Sequence, residues 1–406
     1  MLIHPALDYI RAHWTQSVYR DAPGTGFCGV DLPFPYTSPC IKGEGHFSFF
    51  FYWDSYFTNL GLLRHGHADT AKDNIRNILW LIGRHGYMPN HVGLQNRSQP
   101  PYLCRMVKEY LAATGDTDFL AEAAAGLRQE YHFWITARHT PTGLQRHGHH
   151  DTDEGCAEFY AQIAGRLGWD PVAPLAERIR SGGQHLAEAE AGCDFTPRFE
   201  NRCLDFNAVD LNCLLYEYEI YLAEVSVQLD WNDELLWQTR AAERRERVNR
   251  YFWNDERGLF LDYDFIHRLH GPVASLAGFM PLVTGLATPA QAARMRENLP
   301  LFEREFGVAA TEDRPFDRTY QWAFPNIWPP LVYLTVEGLR RYGFDADSRR
   351  IAGKFISTSD RLFENTGQLW EKTNALTGEV AAGEYQAAPM LGWSAGVYTA
   401  LAEISS

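Results

Sequence analysis

The chain has 406 residues, an aromatic share of 14%, and 37 Lys+Arg against 51 Asp+Glu, for a formal net charge of −14. A nucleic acid or an anionic membrane needs a basic footprint, and no run of Lys or Arg supplies one, so both are disfavoured as partners. The length admits two or three average domains or one large architecture, and a 45% hydrophobic fraction can fill a sizeable core.

In chain order, the first helical segment falls at 4–15. There Asp8, Arg11 and His13 interrupt what would be the apolar core of a signal peptide. Trp53 to Leu63 places Tyr56, Phe57, Leu60 and Leu63 on one stripe, and Ala71 to Ile82 does the same with Ile75, Ile78, Leu79 and Ile82. Helices follow over 102–113, 118–137 (with Thr117 as N-cap), 156–166, 172–191 and 207–228. Another spans 231–252. Its Arg240–Arg250 cluster is interleaved with Glu243, Glu246 and Asn249 and reads as a solvated face. The best strand signal is Leu259–Phe265, preceded by Gly258. Helices at 288–297, 327–341, 345–363 and 391–404 complete the set.

No Ser/Pro/Gly-rich linker divides this chain, and no period of 20–50 residues recurs. About a dozen helices in successive hairpins are most economically one all-α domain over 1–406, with an inner and an outer ring. Loops at one end are then free to build a site. Seven cysteines (Cys28, Cys40, Cys104, Cys156, Cys193, Cys203 and Cys213) show no CxxC, and the odd count leaves a thiol free. This points to a reducing compartment, and the protein is expected in the cytoplasm. No stretch approaches the roughly 20 apolar residues of a membrane span.

Five loops set polar side chains beside aromatics: Phe47–Phe57, Pro89–Pro101, Gly192–Phe199, Tyr320–Pro330 and Leu369–Trp393. Aromatic faces stack on a pyranose, while Asn, Gln, Arg and carboxylates read its hydroxyls. The partner expected is a small-molecule sugar. A hydrolase would add two carboxyls, one kept protonated and one activating water. The cluster His147, His149, His150, Asp151, Asp153 and Glu154 has metal-ligand residue types but no metal-site spacing, so it reads as a solvated loop. No metal or organic cofactor is expected.

These loops carry motifs in a recognisable order: Tyr52-Trp53-Asp54-Ser55-Tyr56-Phe57, Pro89-Asn90 with Arg97-Ser98-Gln99-Pro100-Pro101, Val209-Asp210-Leu211-Asn212, Gln321-Trp322 with Trp328-Pro329-Pro330, Glu371-Lys372, and Gly383-Glu384-Tyr385 with Gly392-Trp393. From about Gly43 to Glu403 the sequence resembles the trehalase family of inverting glycoside hydrolases. The resemblance implies an (α/α)6 barrel with short β segments in its loops. It also implies hydrolysis of an α-glycosidic bond, with trehalose the first substrate to test. It makes Asp194 the general acid and Glu371 the general base, and Phe47, Trp53, Asp54, Asn90, Arg97, Ser98, Gln99, Gly192, Trp322, Glu384 and Trp393 sugar contacts. An inverting pair would stand roughly 6.5–9.5 Å apart, leaving room for water.

The resemblance breaks at three places. His46 precedes Phe47 where the family has Arg, Ala323 follows Gln321-Trp322 where it has Asp, and no Arg-Pro-Glu occurs in 140–165. These departures implicate the leaving group rather than the reaction type, so kojibiose or glucosylglycerate is an alternative substrate. A sugar epimerase or isomerase on the same barrel is the alternative of another class.

Overall fold

Burial sorts the helices of the computed structural model into two kinds. The structure describes residues 4–41, 49–385 and 387–405, so the expected contact Phe47 and its neighbour His46 lie outside the described residues. Helices α1 (Pro5–His13), α2 (Tyr52–Arg64), α3 (Ala68–His85), α4 (Leu103–Thr114) and α5 (Asp118–Ala137) come first. Then follow α6 (Asp153–Leu167), α7 (Leu175–Glu190), α8 (Val209–Gln228), α9 (Glu234–Phe252) and α10 (Met280–Val283). The last four are α11 (Pro289–Glu297), α12 (Pro329–Arg341), α13 (Asp345–Thr366) and α14 (Gly392–Ser405). Helices α2, α8, α12 and α14 are buried almost all round. By contrast, α3, α9 and α13 bury one stripe, as in Trp237, Ala241, Val248 and Phe252 of α9.

That difference sets the layers. Helices α2, α4, α8, α10, α12 and α14 pack in succession, and α14 returns to α2, closing an inner ring. Outside it lie α3, α5, α9 and α13, with α1 against α13 and α11 beside the Leu259–Phe260 strand. This is the expected all-α (α/α)6 barrel. The closing seam depends on glycine. A Cβ on Gly396 of α14 would collide with the Phe57 carbonyl of α2, and one on Gly61 would sit 2.9 Å from the Gly396 Cα. Side chains there would hold the two backbones apart.

The sequence pattern ranks α6 and α7 with the barrel helices. They instead pack on each other as an extra hairpin inserted between α5 and α8. The sixth inner helix is α10, a single turn following the Leu276–Phe279 3-10 turn and too short to show periodicity. Ile163 and Leu167 of α6 seat the hairpin on Phe195, Tyr320 and Ala323 in a small apolar cluster of their own. Helix α6 also starts earlier than expected. Thr152 accepts from the Gly155 N–H at 3.1 Å, and Asp153 and Glu154 suit the positive end of the helix.

Three local expectations are corrected. The Leu259–Phe265 strand is two separate pieces. Leu259–Phe260 pairs with Trp253–Asn254, and Tyr263–Asp264 pairs with Phe206–Asn207 and Leu269–His270. Within the basic stretch of α9, Arg244 is buried and donates to Glu219, Gln145 and Asn212, while its neighbours face water. Thr117 precedes α5 as expected but makes no side-chain cap.

Candidate active site

A cavity of about 530 Å³ opens at the end of the barrel where α2, α12 and α14 begin, within the roughly 300–1,000 Å³ of ligand sites. Its floor is four tryptophans. Trp322 stacks on Trp328, with centroids 3.7 Å apart and planes 6° apart, and Trp53 and Trp393 meet Trp322 at 5.7 and 6.3 Å. The loops bring them there. Trp53 is in the first turn of α2, Trp328 precedes α12, and Trp393 begins α14. The antiparallel pair Asn326–Ile327 and Thr373–Asn374 ties the Trp322 loop to the Glu371 segment.

Asp194 enters from the loop after α7, and burial pushes its pKa up to about 6 against the lowering pull of Arg166 and Arg97. Its backbone carbonyl accepts from Gln321 Nε2 at 2.9 Å, and the Trp322 N–H donates to the Phe195 carbonyl at 3.0 Å. Cys193 and Phe195 on either side are buried.

Glu371 lines the same cavity. Burial raises its pKa, while the Lys372 charge and a 2.7 Å hydrogen bond from the Tyr385 hydroxyl to Oε1 work the other way. Its Oε2 is buried with no hydrogen-bond partner among the described residues. Lys372 lies 3.6 Å over the Tyr385 ring, and burial lowers its pKa to about 8. One carboxyl is thus held toward its protonated form in the range where enzymes work. The other has a donor supporting its anion and a free oxygen. Both carboxyls line one cavity.

Asp54, at the start of α2, also lines the cavity, with its pKa raised to about 7 by burial and by the charges of Glu371 and Asp194. Arg97 is buried without a salt-bridge partner among the described residues. Its Nη1 donates to Asn96 at 2.9 Å, and its Nε has no partner there. Arg166 Nη2 binds Glu384 Oε2 at 3.0 Å across the rim.

Behind this wall sits Glu190, fully buried at the end of α7. Its Oε1 accepts from Arg138 Nη2 (2.6 Å) and the Ser98 N–H (3.0 Å), and its Oε2 from Arg138 Nε (2.9 Å) and the Gly148 N–H (2.7 Å). Burial works to raise this carboxyl, but Arg138 and His147 together outweigh it and hold the pKa well below the usual range. One side chain therefore joins the Arg97 loop, the 146–150 loop and the segment leading to Asp194. Arg198 clamps the far side of Asp194 by binding both Asp210 and Asp262 in bidentate fashion.

A model of the family described as trehalase matches residues 10–157 and 186–405. The chain belongs to the trehalase family of glycoside hydrolases. This trehalase-family enzyme is similar to neutral trehalase Nth1 from Saccharomyces cerevisiae, with a TM-score of 0.78 at 25% identity over 100% of this chain and 81% of that one. The fold is also similar to that of a GH63 mannosylglycerate hydrolase from Thermus thermophilus in complex with Tris and D-glycerate (TM-score 0.67, 18% identity, 97% and 99% of the two chains). A rhamnosidase from Klebsiella oxytoca with rhamnose bound gives a TM-score of 0.56 at 11% identity over 87% of this chain and 57% of that one.

For this family member the structure brings Trp53, Asp54, Asn90, Arg97, Gln99, Gly192, Asp194, Trp322, Glu371, Glu384 and Trp393 to one cavity. Gln99 does a second job there. Its Oε1 accepts from the Trp53 N–H at 3.2 Å, filling an open donor of the first turn of α2. Ser98 is brought near but does not face the cavity, since its hydroxyl donates to the Met88 carbonyl at 2.6 Å and its N–H to Glu190. Gly192 has φ +72°, and a Cβ there would lie 2.8 Å from the Trp53 indole, so the missing side chain makes room for Trp53.

The His147 loop is not solvated as expected. His147 and Gly148 are buried around Glu190, whereas His150, Asp153 and Glu154 face water. Among the described residues no group of three or more His, Cys, Asp or Glu comes together as a metal site. Sequence reasoning omitted Arg166, Tyr385, Lys372, Gln321 and Glu190. Tyr385, Lys372 and Gln321 adjoin assigned residues inside the quoted motifs. Arg166 and Glu190 are single charges on helices and carry no local signal. Among the described residues no helix is long and apolar enough to cross a membrane.

Proposed function

We propose that this enzyme hydrolyses an α-glycosidic bond with inversion, taking trehalose or a related small α-glucoside. Asp194 protonates the glycosidic oxygen and Glu371 takes the proton of the attacking water. The observation that carries the reading is the contrast between two carboxyls on one tryptophan-floored cavity. Burial raises both, Asp194 to about 6, and at Glu371 a donor from Tyr385 opposes the rise beside an unpartnered oxygen that can receive a proton.

The floor takes the sugar that reacts, because its end is closed by Trp322, Trp328 and Trp393. The open rim takes the leaving group. Hydrolysis of a panel of α-linked disaccharides and glycosyl-glycerates tests the substrate, with trehalose and kojibiose included. Proton NMR of the first-formed sugars from trehalose tests inversion, which releases β-glucose from the reacting ring beside α-glucose from the leaving group; α-glucose alone refutes it. Solvent deuterium appearing at a carbon of a free sugar would favour the isomerase reading instead. We also propose a reducing, cytoplasmic compartment, a reading supported by seven cysteines that form no disulfide among the described residues.

A further inference from the structure

Helices α6 and α7 stand apart three times over. They lie outside both rings of the barrel. Most of the pair falls in the gap between the two stretches that the family model matches. They rest on Ala323, the position where the sequence leaves the family signature, so an apolar seat for α6 replaces a carboxylate. Yet the hairpin reaches the site, because Arg166 lines the cavity and Phe159 lies 5.5 Å from the Arg97 guanidinium.

Arg166 sits where a leaving group must pass. Its side chain is 36% exposed, at the rim, whereas Trp322 and Trp393 on the floor are 2% and 5% exposed. It is close enough to Asp194 to lower that carboxyl's pKa. A general acid touches the glycosidic oxygen, so groups beside it on the mouth side face the leaving group. Its partner Glu384 uses only Oε2 in the pair. Oε1 is buried and without a hydrogen-bond partner among the described residues. The pair therefore offers guanidinium donors beside a carboxylate acceptor with its charge already compensated. That suits neighbouring hydroxyls of a neutral sugar better than an acid.

We propose that the α6–α7 hairpin builds the leaving-group subsite and that Arg166 is its specificity-determining residue, binding a neutral polyhydroxylated leaving group together with Glu384. The inference rests on the hydrolytic reading above, and the test separates the two. An α-glycosyl fluoride has the same reacting sugar but a leaving group that needs neither recognition nor a proton. Wild type and Arg166→Gln are compared on that fluoride and on the best α-linked disaccharide, below the alkaline limb of activity. Losing a charged donor lowers kcat/KM on the disaccharide about 10- to 100-fold, chiefly through KM, and leaves the fluoride within about twofold. Arg166→Lys, which keeps the charge and loses the fork, falls between. Parallel loss on both substrates, or no loss on either, overturns the assignment. Preference of the wild type for a glycosyl-glycerate over every neutral disaccharide overturns the neutral-sugar claim. A wild type that cleaves neither substrate sinks the hydrolytic reading itself.

Discussion

Replacing Glu190 by Gln changes one oxygen for nitrogen in a side chain with no exposed surface. Each carboxylate oxygen accepts two N–H groups, Arg138 Nη2 and Ser98 on one side and Arg138 Nε and Gly148 on the other. Whichever way the amide turns, its NH2 faces two donors and leaves both unsatisfied. Each stranded buried donor costs about 1–3 kcal/mol, and Arg138 is left as a buried cation without a counter-charge, a change that typically costs about 3–5 kcal/mol. The two routes agree on about 3–5 kcal/mol. With a urea m-value near 3 kcal/mol/M, the midpoint moves down by about 1 M or more.

Tryptophan fluorescence in urea at pH 7 reads this shift. The sign with pH follows from the depressed Glu190 pKa. The stabilisation is present above the unfolded carboxyl value of about 4.3 and is lost as pH falls through the folded one, so the gap between wild type and variant narrows in acid. The double variant Glu190→Leu with Arg138→Met removes both charges and recovers part of the loss. A Glu190→Gln midpoint within about 0.3 M of wild type, at an unchanged m-value, would refute the reasoning.

Asp194→Asn and Glu371→Gln each lower kcat on an α-glycoside by at least about 10²-fold with circular dichroism unchanged; near-wild-type turnover in either removes that residue from its role. Tyr385→Phe deletes the donor that stabilises ionised Glu371, so its pKa rises and the acid limb of kcat/KM moves to higher pH; an unmoved limb contradicts the assignment. Ala323→Asp restores the family signature but puts a carboxylate into the Ile163, Leu167, Phe195 and Tyr320 cluster. It is expected to cost about 3 kcal/mol or more, and wild-type thermal unfolding would show that the seat is not dry. Gly192→Ala forces a Cβ against Trp53 at positive φ, costing about 1–3 kcal/mol and changing the near-ultraviolet circular dichroism; an identical spectrum would argue against the contact.

What the sequence made legible was what repeats or stays local. The single stripe of α3 and the solvated face of α9 fit their outer places, whereas α2, read as one stripe, is buried almost all round. The ordered motifs brought eleven assigned residues to one cavity. A single turn such as α10 has no period to read. Nor does periodicity separate a barrel helix from α6, because each has one apolar face; only the neighbour differs. Glu190 looks like any helix-end glutamate until Arg138 and the 146–150 loop fold over it. Gly192 lines the cavity, and the space of its missing Cβ is taken by Trp53, a residue brought in from α2.

The seam between α2 and α14 also orders events in time. Gly396 meets Phe57 across roughly 340 residues of chain, a contact of very long range that folds late. During synthesis, at about 5–20 residues per second, α2 emerges and then waits tens of seconds for its final neighbour. Trp393 arrives on that same helix. The nascent chain therefore carries an open, aromatic half-pocket that neither holds sugar nor hides its apolar surface, and both defects end in one step when α14 docks.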